Sequence, residues 1–136
     1  MKGIADTGFL IAFLDRNDRY HPWAVSAAQR MDTPLLTCEA VLAETAFHLE
    51  SVAVVLEMIS LGMLQLAFDC SSHLVSLSAL AIRYSDRKPD LADLCLIRMS
   101  ELYPKHIVLT IDERDFRVYR RNKRETIPIL CPGSVQ

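Results

Sequence analysis

The chain has 136 residues, of which 51% are hydrophobic and 24% are charged, so it can bury a core and is not a disordered chain. Fifteen Lys and Arg against 17 Asp and Glu give a net charge of −2, which by itself indicates no nucleic-acid partner. No run of about 18 apolar residues is present, and residues 1–14 lack a signal-peptide cleavage site, so we expect a cytoplasmic protein without a membrane partner.

Short apolar segments alternate with segments of helical spacing along the chain. Pro22 suits the first turn of a helix that begins near His21, and Gly62 is a plausible helix end. The predicted strands are residues 2–6, 34–37, 63–68, 107–110 and 127–130. The predicted helices are residues 8–14, a segment from His21 onward, 38–50, 52–61, a segment from Ser71 or Ser72 towards Asp86, and 90–102. This alternation predicts one domain over residues 1–136, with a three-layer α/β/α fold and a parallel sheet of four to five strands.

The positive charge is concentrated near the C-terminus. The segment Arg114 to Arg124 holds six basic residues and one acid, which gives it a net charge of +5 and leaves −7 for the remainder. Two interpretations are open: a solvated helix or loop rich in arginine, or a patch that binds phosphates through guanidinium groups.

The cysteines do not form a recognisable site. Cys38, Cys70, Cys95 and Cys131 occur singly, without a C-x-x-C pair, which fits neither a zinc site nor a secreted disulfide scaffold. We expect buried, reduced thiols.

Two acids follow predicted strands. Asp6 comes directly after the first strand, and Asp112 lies two residues after Thr110, the end of the penultimate strand. Because ligands of open α/β sheets gather at the carboxyl ends of the strands, these carboxylates are expected at one crevice. Each of them alone could instead simply cap the following helix.

Three further acids belong to helices. Glu44 lies within an otherwise apolar or small-residue stretch, so it points outward or is buried with a partner. Asp90 and Asp93 lie three residues apart at a helix start, where Asp90 suits the N-cap and either could have a purely structural role. If these acids meet, they repel one another unless a cation neutralises them. Oxygen ligands favour Mg²⁺ or Mn²⁺, and phosphodiester hydrolysis is the chemistry that such a centre suits.

These residues resemble those of the PIN-domain ribonucleases, specifically the VapC-type toxins of bacterial toxin-antitoxin pairs. The resemblance spans nearly the whole chain, and its order and spacing are more specific than any one fragment. It rests on the segments 6–10, 18–24, 41–44, 90–93 and 110–116.

The resemblance implies a PIN-like fold with a twisted sheet and an acidic pocket for one or two Mg²⁺ or Mn²⁺ ions. Asp6, Asp93 and Asp112 would be metal ligands, and Glu44 would complete the catalytic acids. Asp93 is preferred over Asp90 as the ligand because of the run of apolar residues that follows it. Supporting positions, which orient the ligands, would be Thr7, Asp90, Thr110 and Asp115. RNA would be held by the basic residues Arg114, Arg117, Arg120 and Arg121.

The implied function is a Mg²⁺- or Mn²⁺-dependent endoribonuclease. Its implied partners are an RNA substrate, a cognate antitoxin protein and a second copy of the chain in a homodimer. The alternative is a non-catalytic PIN-like module that binds RNA or protein, which the presence of all four acids disfavours. A phosphoaspartyl phosphatase is disfavoured because Gly8 stands where its motif requires a second acid.

Overall fold

Five short parallel strands form one sheet in the computed structural model, which describes residues 1–133. Ile4 in the central strand pairs with Leu36 on one side and with Val108 on the other. The strands are β1 (Gly3–Ala5), β2 (Leu35–Thr37), β3 (Leu64–Leu66), β4 (Ile107–Leu109), β5 (Arg120–Arg121), β6 (Glu125–Thr126) and β7 (Ile129–Leu130). The sheet order is β3-β2-β1-β4-β7, while β5 and β6 form a separate antiparallel pair.

The helices surround this sheet, and the predicted three-layer α/β/α fold is confirmed. They are α1 (Thr7–Leu14), α2 (His21–Gln29), α3 (Glu39–Leu49), α4 (Val52–Ser60), α5 (Leu74–Arg83), α6 (Leu91–Leu102) and α7 (Glu113–Phe116). Two 3₁₀ turns cover Cys70–His73 and Ser85–Arg87. The predicted domain extends to residue 136, and residues 134–136 lie outside the described part. No helix within residues 1–133 has the length and apolar character needed to cross a bilayer.

The local signals placed most helix ends correctly. Asp90 caps α6 by accepting a hydrogen bond from the backbone N–H of Asp93, and Gly62 follows the end of α4 with a positive φ of 77°. The prediction that Ser71 or Ser72 caps the next helix is wrong. Asp69 accepts the hydrogen bond from the Ser71 N–H, and it caps a 3₁₀ turn that delays the start of α5 to Leu74.

The connections create a switch point between β1 and β4. The chain moves from β1 outward through β2 to β3, and then returns across the sheet to β4 on the other side of β1. Because crossovers between parallel strands are right-handed, such a reversal leaves the carboxyl ends of β1 and β4 at the mouth of a crevice. Ile4 of β1 and Val108 and Leu109 of β4 are fully buried, so this edge of the sheet rests on the core.

The basic segment is neither one helix nor a plain loop. It begins with the single turn of α7 and continues into the hairpin of β5 and β6, whose three-residue loop places Asn122 and Lys123 at positive φ. No disulfide joins the four cysteines, all of which lie within residues 1–133. Cys38, Cys95 and Cys131 are buried as expected, whereas Cys70 is only partly buried.

Candidate metal centre at the carboxyl edge of the sheet

Asp6 is the most buried acid of the site. It directly follows β1 and caps α1, and only 7% of the residue is exposed. Its Oδ1 accepts the Thr7 backbone N–H at 2.7 Å, and its Oδ2 accepts the Thr110 hydroxyl at 2.6 Å. Burial raises the pKa of Asp6 from 3.8 to about 6 despite these hydrogen bonds, and the charges of Asp112 and Asp90 raise it further.

Thr110 joins Asp6 to the turn that follows β4. The same hydroxyl that donates to Asp6 accepts the backbone N–H of Asp112 at 2.9 Å. Asp112 in turn caps α7 by accepting the N–H of Asp115 at 3.2 Å. Burial, followed by the charge of Asp115, raises the pKa of Asp112. The Thr110 hydroxyl therefore orients the carboxylate of Asp6 and links it to the backbone of the Asp112 turn, which is the kind of contact expected of a supporting residue.

Asp93 enters the site from the first turn of α6. Its Oδ2 accepts the hydroxyl hydrogen of Tyr119 at 3.0 Å. Burial raises the pKa of Asp93 from 3.8 to about 7, and the negative charges of Asp90 and Asp6 add to the effect. Asp90 is exposed and its side chain caps α6, while its charge also acts on the other acids.

Glu44 is connected to the same site through Thr7. The Thr7 hydroxyl donates to Glu44 Oε1 at 2.7 Å, so α1 and α3 are joined beside Asp6. Burial, and then the charge of Asp90, raises the pKa of Glu44. Of the two placements open from the sequence, the structure shows the one in which Glu44 has a hydrogen-bond partner.

The closest cluster of acids differs from the predicted ligand set. One carboxylate oxygen from each of Asp93, Asp112 and Asp115 lies within 4.8 Å of the others, which is compatible with shared coordination of one cation. Asp6 lies outside this trio, although its charge acts on both Asp93 and Asp112. The structure thus brings two predicted ligands together with Asp115, which was predicted to have only a supporting role.

Two side chains at the site were not predicted. Tyr119, which is fully buried, donates to Asp93, and Arg87 Nη2 contacts Asp115 Oδ1 at 3.0 Å. Arg87 belongs to the charged cluster Asp86-Arg87-Lys88 before Pro89, which lies at the end of the helix predicted to run towards Asp86. No sequence signal indicates either contact, because both depend on where the 85–87 turn and the segment after α7 fold back.

The four arginines of the predicted RNA patch fall into two groups. Arg114 and Arg117 are exposed, and Arg117 pairs with Glu113 at 2.8 Å. Arg120 instead donates to the carbonyl oxygens of residues 117–119. Arg121 is 12% exposed and donates to the carbonyl oxygens of Ser100 and Pro104, at the end of α6. The first pair is exposed to solvent, although Arg117 is paired with Glu113, whereas the second pair organises the backbone.

We expect Arg121→Ala to destabilise the protein by about 1–3 kcal/mol, because it leaves carbonyl oxygens of the α6 terminus without their donor. Chemical denaturation measures this loss. Arg114→Ala is the matched control, and it should leave the free energy of unfolding nearly unchanged because its side chain is exposed. Equal stability of the two variants would contradict the structural role of Arg121.

No protein-family model matches the chain, and no curated protein sequence matches it.

Proposed function

We propose that this protein is a Mg²⁺- or Mn²⁺-dependent endoribonuclease. One observation supports this most strongly: acids from four separate parts of the chain meet at the carboxyl edge of the sheet, and burial raises the pKa of Asp6 to about 6 and of Asp93 to about 7. Groups with such perturbed pKa values in a crevice are candidates for a functional site. A purely structural cluster has little reason to accept this mutual repulsion.

The donor chemistry suits a hard cation. The trio Asp93, Asp112 and Asp115 offers only carboxylate oxygens, without a cysteine or histidine, and this set favours Mg²⁺ or Mn²⁺ over zinc. Asp6 and Glu44 add negative charge beside the trio. A bound divalent cation would supply neutralisation of phosphate charge and activation of water.

The remaining residues have positioning roles in this proposal. Thr110 holds Asp6 and the Asp112 turn in one arrangement, Thr7 fixes Glu44, and Tyr119 fixes the carboxylate of Asp93. Such hydrogen bonds orient ligands before the cation binds. Arg87 pairs with Asp115 and partly offsets the negative charge there.

RNA is the substrate that we infer from the resemblance and from the adjacent basic residues. The exposed Arg114 and Arg117 lie on or directly after α7, the helix that Asp112 caps. Guanidinium groups at this place would attract a phosphate backbone that the acids themselves repel. The hypothesis that Arg120 and Arg121 also bind RNA is weaker, because their guanidinium groups donate to backbone carbonyls.

We also propose the partners that the resemblance implies, an antitoxin and a second copy of the chain. A groove of about 970 Å³ between α3 and α4 is lined mainly by apolar side chains, and Phe47 beside it is 87% exposed. An exposed apolar surface of this kind is typical of protein interaction sites. A non-catalytic binding module would use the same groove, so only an activity measurement separates the two functions.

The experiment is hydrolysis of a mixed RNA pool by the purified protein with Mg²⁺ or Mn²⁺ and with excess EDTA. We expect cleavage only with the metal, together with a rise in melting temperature on adding Mn²⁺, because a ligand that binds the folded state stabilises it. A protein that binds Mn²⁺ but cuts no RNA would be a metal-binding module. Cleavage that persists in EDTA would contradict the metal mechanism.

The two possible ligand sets can be separated with Asp6→Asn and Asp115→Asn. Each variant is titrated with Mn²⁺ in the absence of RNA. If the trio is the ligand set, Asp115→Asn weakens Mn²⁺ binding more than Asp6→Asn, and the opposite order supports the set predicted from the sequence.

A further inference from the structure

Three cysteines that are far apart in the sequence meet beside α6. The Sγ atoms of Cys70 and Cys95 lie 3.6 Å apart. Cys38, the residue before α3, is close enough to Cys95 for the two thiols to interact. Nothing in the proposed RNA cleavage uses these thiols, so their proximity has no explanation in that function.

The thiols of Cys70 and Cys95 differ in accessibility. Cys95 is fully buried in α6, whereas Cys70 is partly exposed at the start of the 3₁₀ turn. Cys70 also lines a cavity of about 440 Å³, together with Cys38 and Asp69. A small oxidant can therefore reach Cys70 directly. Cys95 is shielded from solvent, but its sulfur atom is in contact with that of Cys70.

We propose that Cys70 and Cys95 form a thiol oxidation site, at which a peroxide produces a reversible intramolecular disulfide. Hydrogen peroxide oxidises the Cys70 thiol to a sulfenic acid and is itself reduced, releasing one water. The Cys95 sulfur then attacks the Cys70 sulfur, the S–O bond breaks, and the hydroxyl leaves as a second water with the Cys95 proton. Two thiols lose two electrons in total, which reduce the O–O bond of one peroxide.

The geometry favours this pair over a bond between molecules. The sulfur atoms lie 3.6 Å apart, so they must approach by about 1.6 Å to reach a disulfide distance of about 2.0 Å, and this approach requires rotation of the two side chains. Asp69 holds that turn through hydrogen bonds to the Ser71 N–H and the Ser72 hydroxyl, so Cys70 stays beside α6. The bond would form two residues from Asp93, but the proposal does not depend on RNA cleavage.

The test treats the reduced, folded protein with hydrogen peroxide and counts its thiols after denaturation. We expect two of the four thiols to be lost, the intact mass to fall by about 2 Da, and a Cys70–Cys95 linked peptide to appear in the monomer. Dithiothreitol should restore all four thiols. This part needs no variant and so does not depend on any variant folding.

Substitutions then identify the pair. After peroxide treatment, Cys70→Ser should form no intramolecular disulfide. The matched control Cys131→Ser should still form the disulfide and lose two thiols. Cys95→Ala should leave Cys70 as a sulfenic acid that a dimedone probe captures. The proposal is overturned if the wild-type protein keeps four thiols, if the linked peptide joins Cys38 to Cys95, or if the only disulfide joins two molecules.

Discussion

Asp93→Asn is expected to lower metal-dependent RNA cleavage by at least about 100-fold while the protein stays folded. The amide removes one negative charge from the trio of Asp93, Asp112 and Asp115, so the cation loses a ligand that can neutralise it. The amide oxygen can still accept the Tyr119 hydroxyl, so the local hydrogen bond is retained. Initial rates with Mg²⁺ and with Mn²⁺ measure the loss.

Asp32→Asn is the matched control, because it makes the same chemical change at a carboxylate that is 73% exposed and paired with the N-terminus. It should cleave RNA at the wild-type rate. Circular dichroism of both variants verifies that they are folded. Wild-type activity in Asp93→Asn would remove this residue from the catalytic centre and would favour the binding-module alternative.

The α/β/α fold could be predicted because strong local signals agree along the chain. Apolar strands alternate with helices, and Asp90 and Gly62 mark helix ends that the structure confirms. The meeting of Asp6 with Asp112 follows from topology alone, since both residues follow adjacent parallel strands. The parallel pairing of β1 with β4 therefore brings together two acids that are far apart in the sequence.

The finer parts of the site could not be predicted because they depend on contacts between segments that have no regular spacing. Tyr119 reaches Asp93 only because the chain after α7 folds back towards α6. The hairpin that buries Arg121 lacks the usual Asn-Gly turn signal, and Lys123 occupies a φ of 70° where glycine is common. Composition alone cannot distinguish an arginine that binds phosphate from one that binds helix carbonyls.

The inclusion of Asp115 in the trio of acids could not be predicted from the sequence either. Asp115 is three residues from Asp112, and their separation in space is set by the single turn of α7. A one-turn helix has weak local signals, so its effect on side-chain direction is not readable from the sequence. The resemblance assigned Asp115 a supporting role, and the geometry now makes it a candidate ligand.

The stability of the metal-free protein should also depend on pH through Asp93. Its pKa is about 7 in the folded protein and 3.8 as the reference value for the unfolded chain. Below pH 3.8 the carboxyl is protonated in both states. As the pH rises towards about 7, the unfolded chain releases the proton while the folded protein retains it, so folding becomes less favourable. Above pH 7 or so the loss is complete and constant.

We therefore expect the free energy of unfolding of Asp93→Asn to exceed that of the wild type by an amount that grows between about pH 4 and pH 7 and then levels off. At about 1.4 kcal/mol for each pKa unit the full shift corresponds to about 4 kcal/mol, and because solvent screens this partly exposed carboxylate the plateau should be on the order of 2–4 kcal/mol. Urea denaturation in EDTA at several pH values measures it. The comparison with Asp93→Asn cancels the opposite contribution of His106, whose lowered pKa makes folding more favourable as the pH rises.

Mn²⁺ should reverse this loss in the wild-type protein, because protons and the cation compete for the same carboxylates. The stabilisation by Mn²⁺ is expected to be small at pH 5, where Asp6 and Asp93 are largely protonated, and to increase through about pH 7. In Asp93→Asn the increase should be much smaller, and in Asp32→Asn it should match the wild type. A stability difference that is flat with pH, or a Mn²⁺ effect that is largest at pH 5, would show that the ionisation of these buried acids does not control the site.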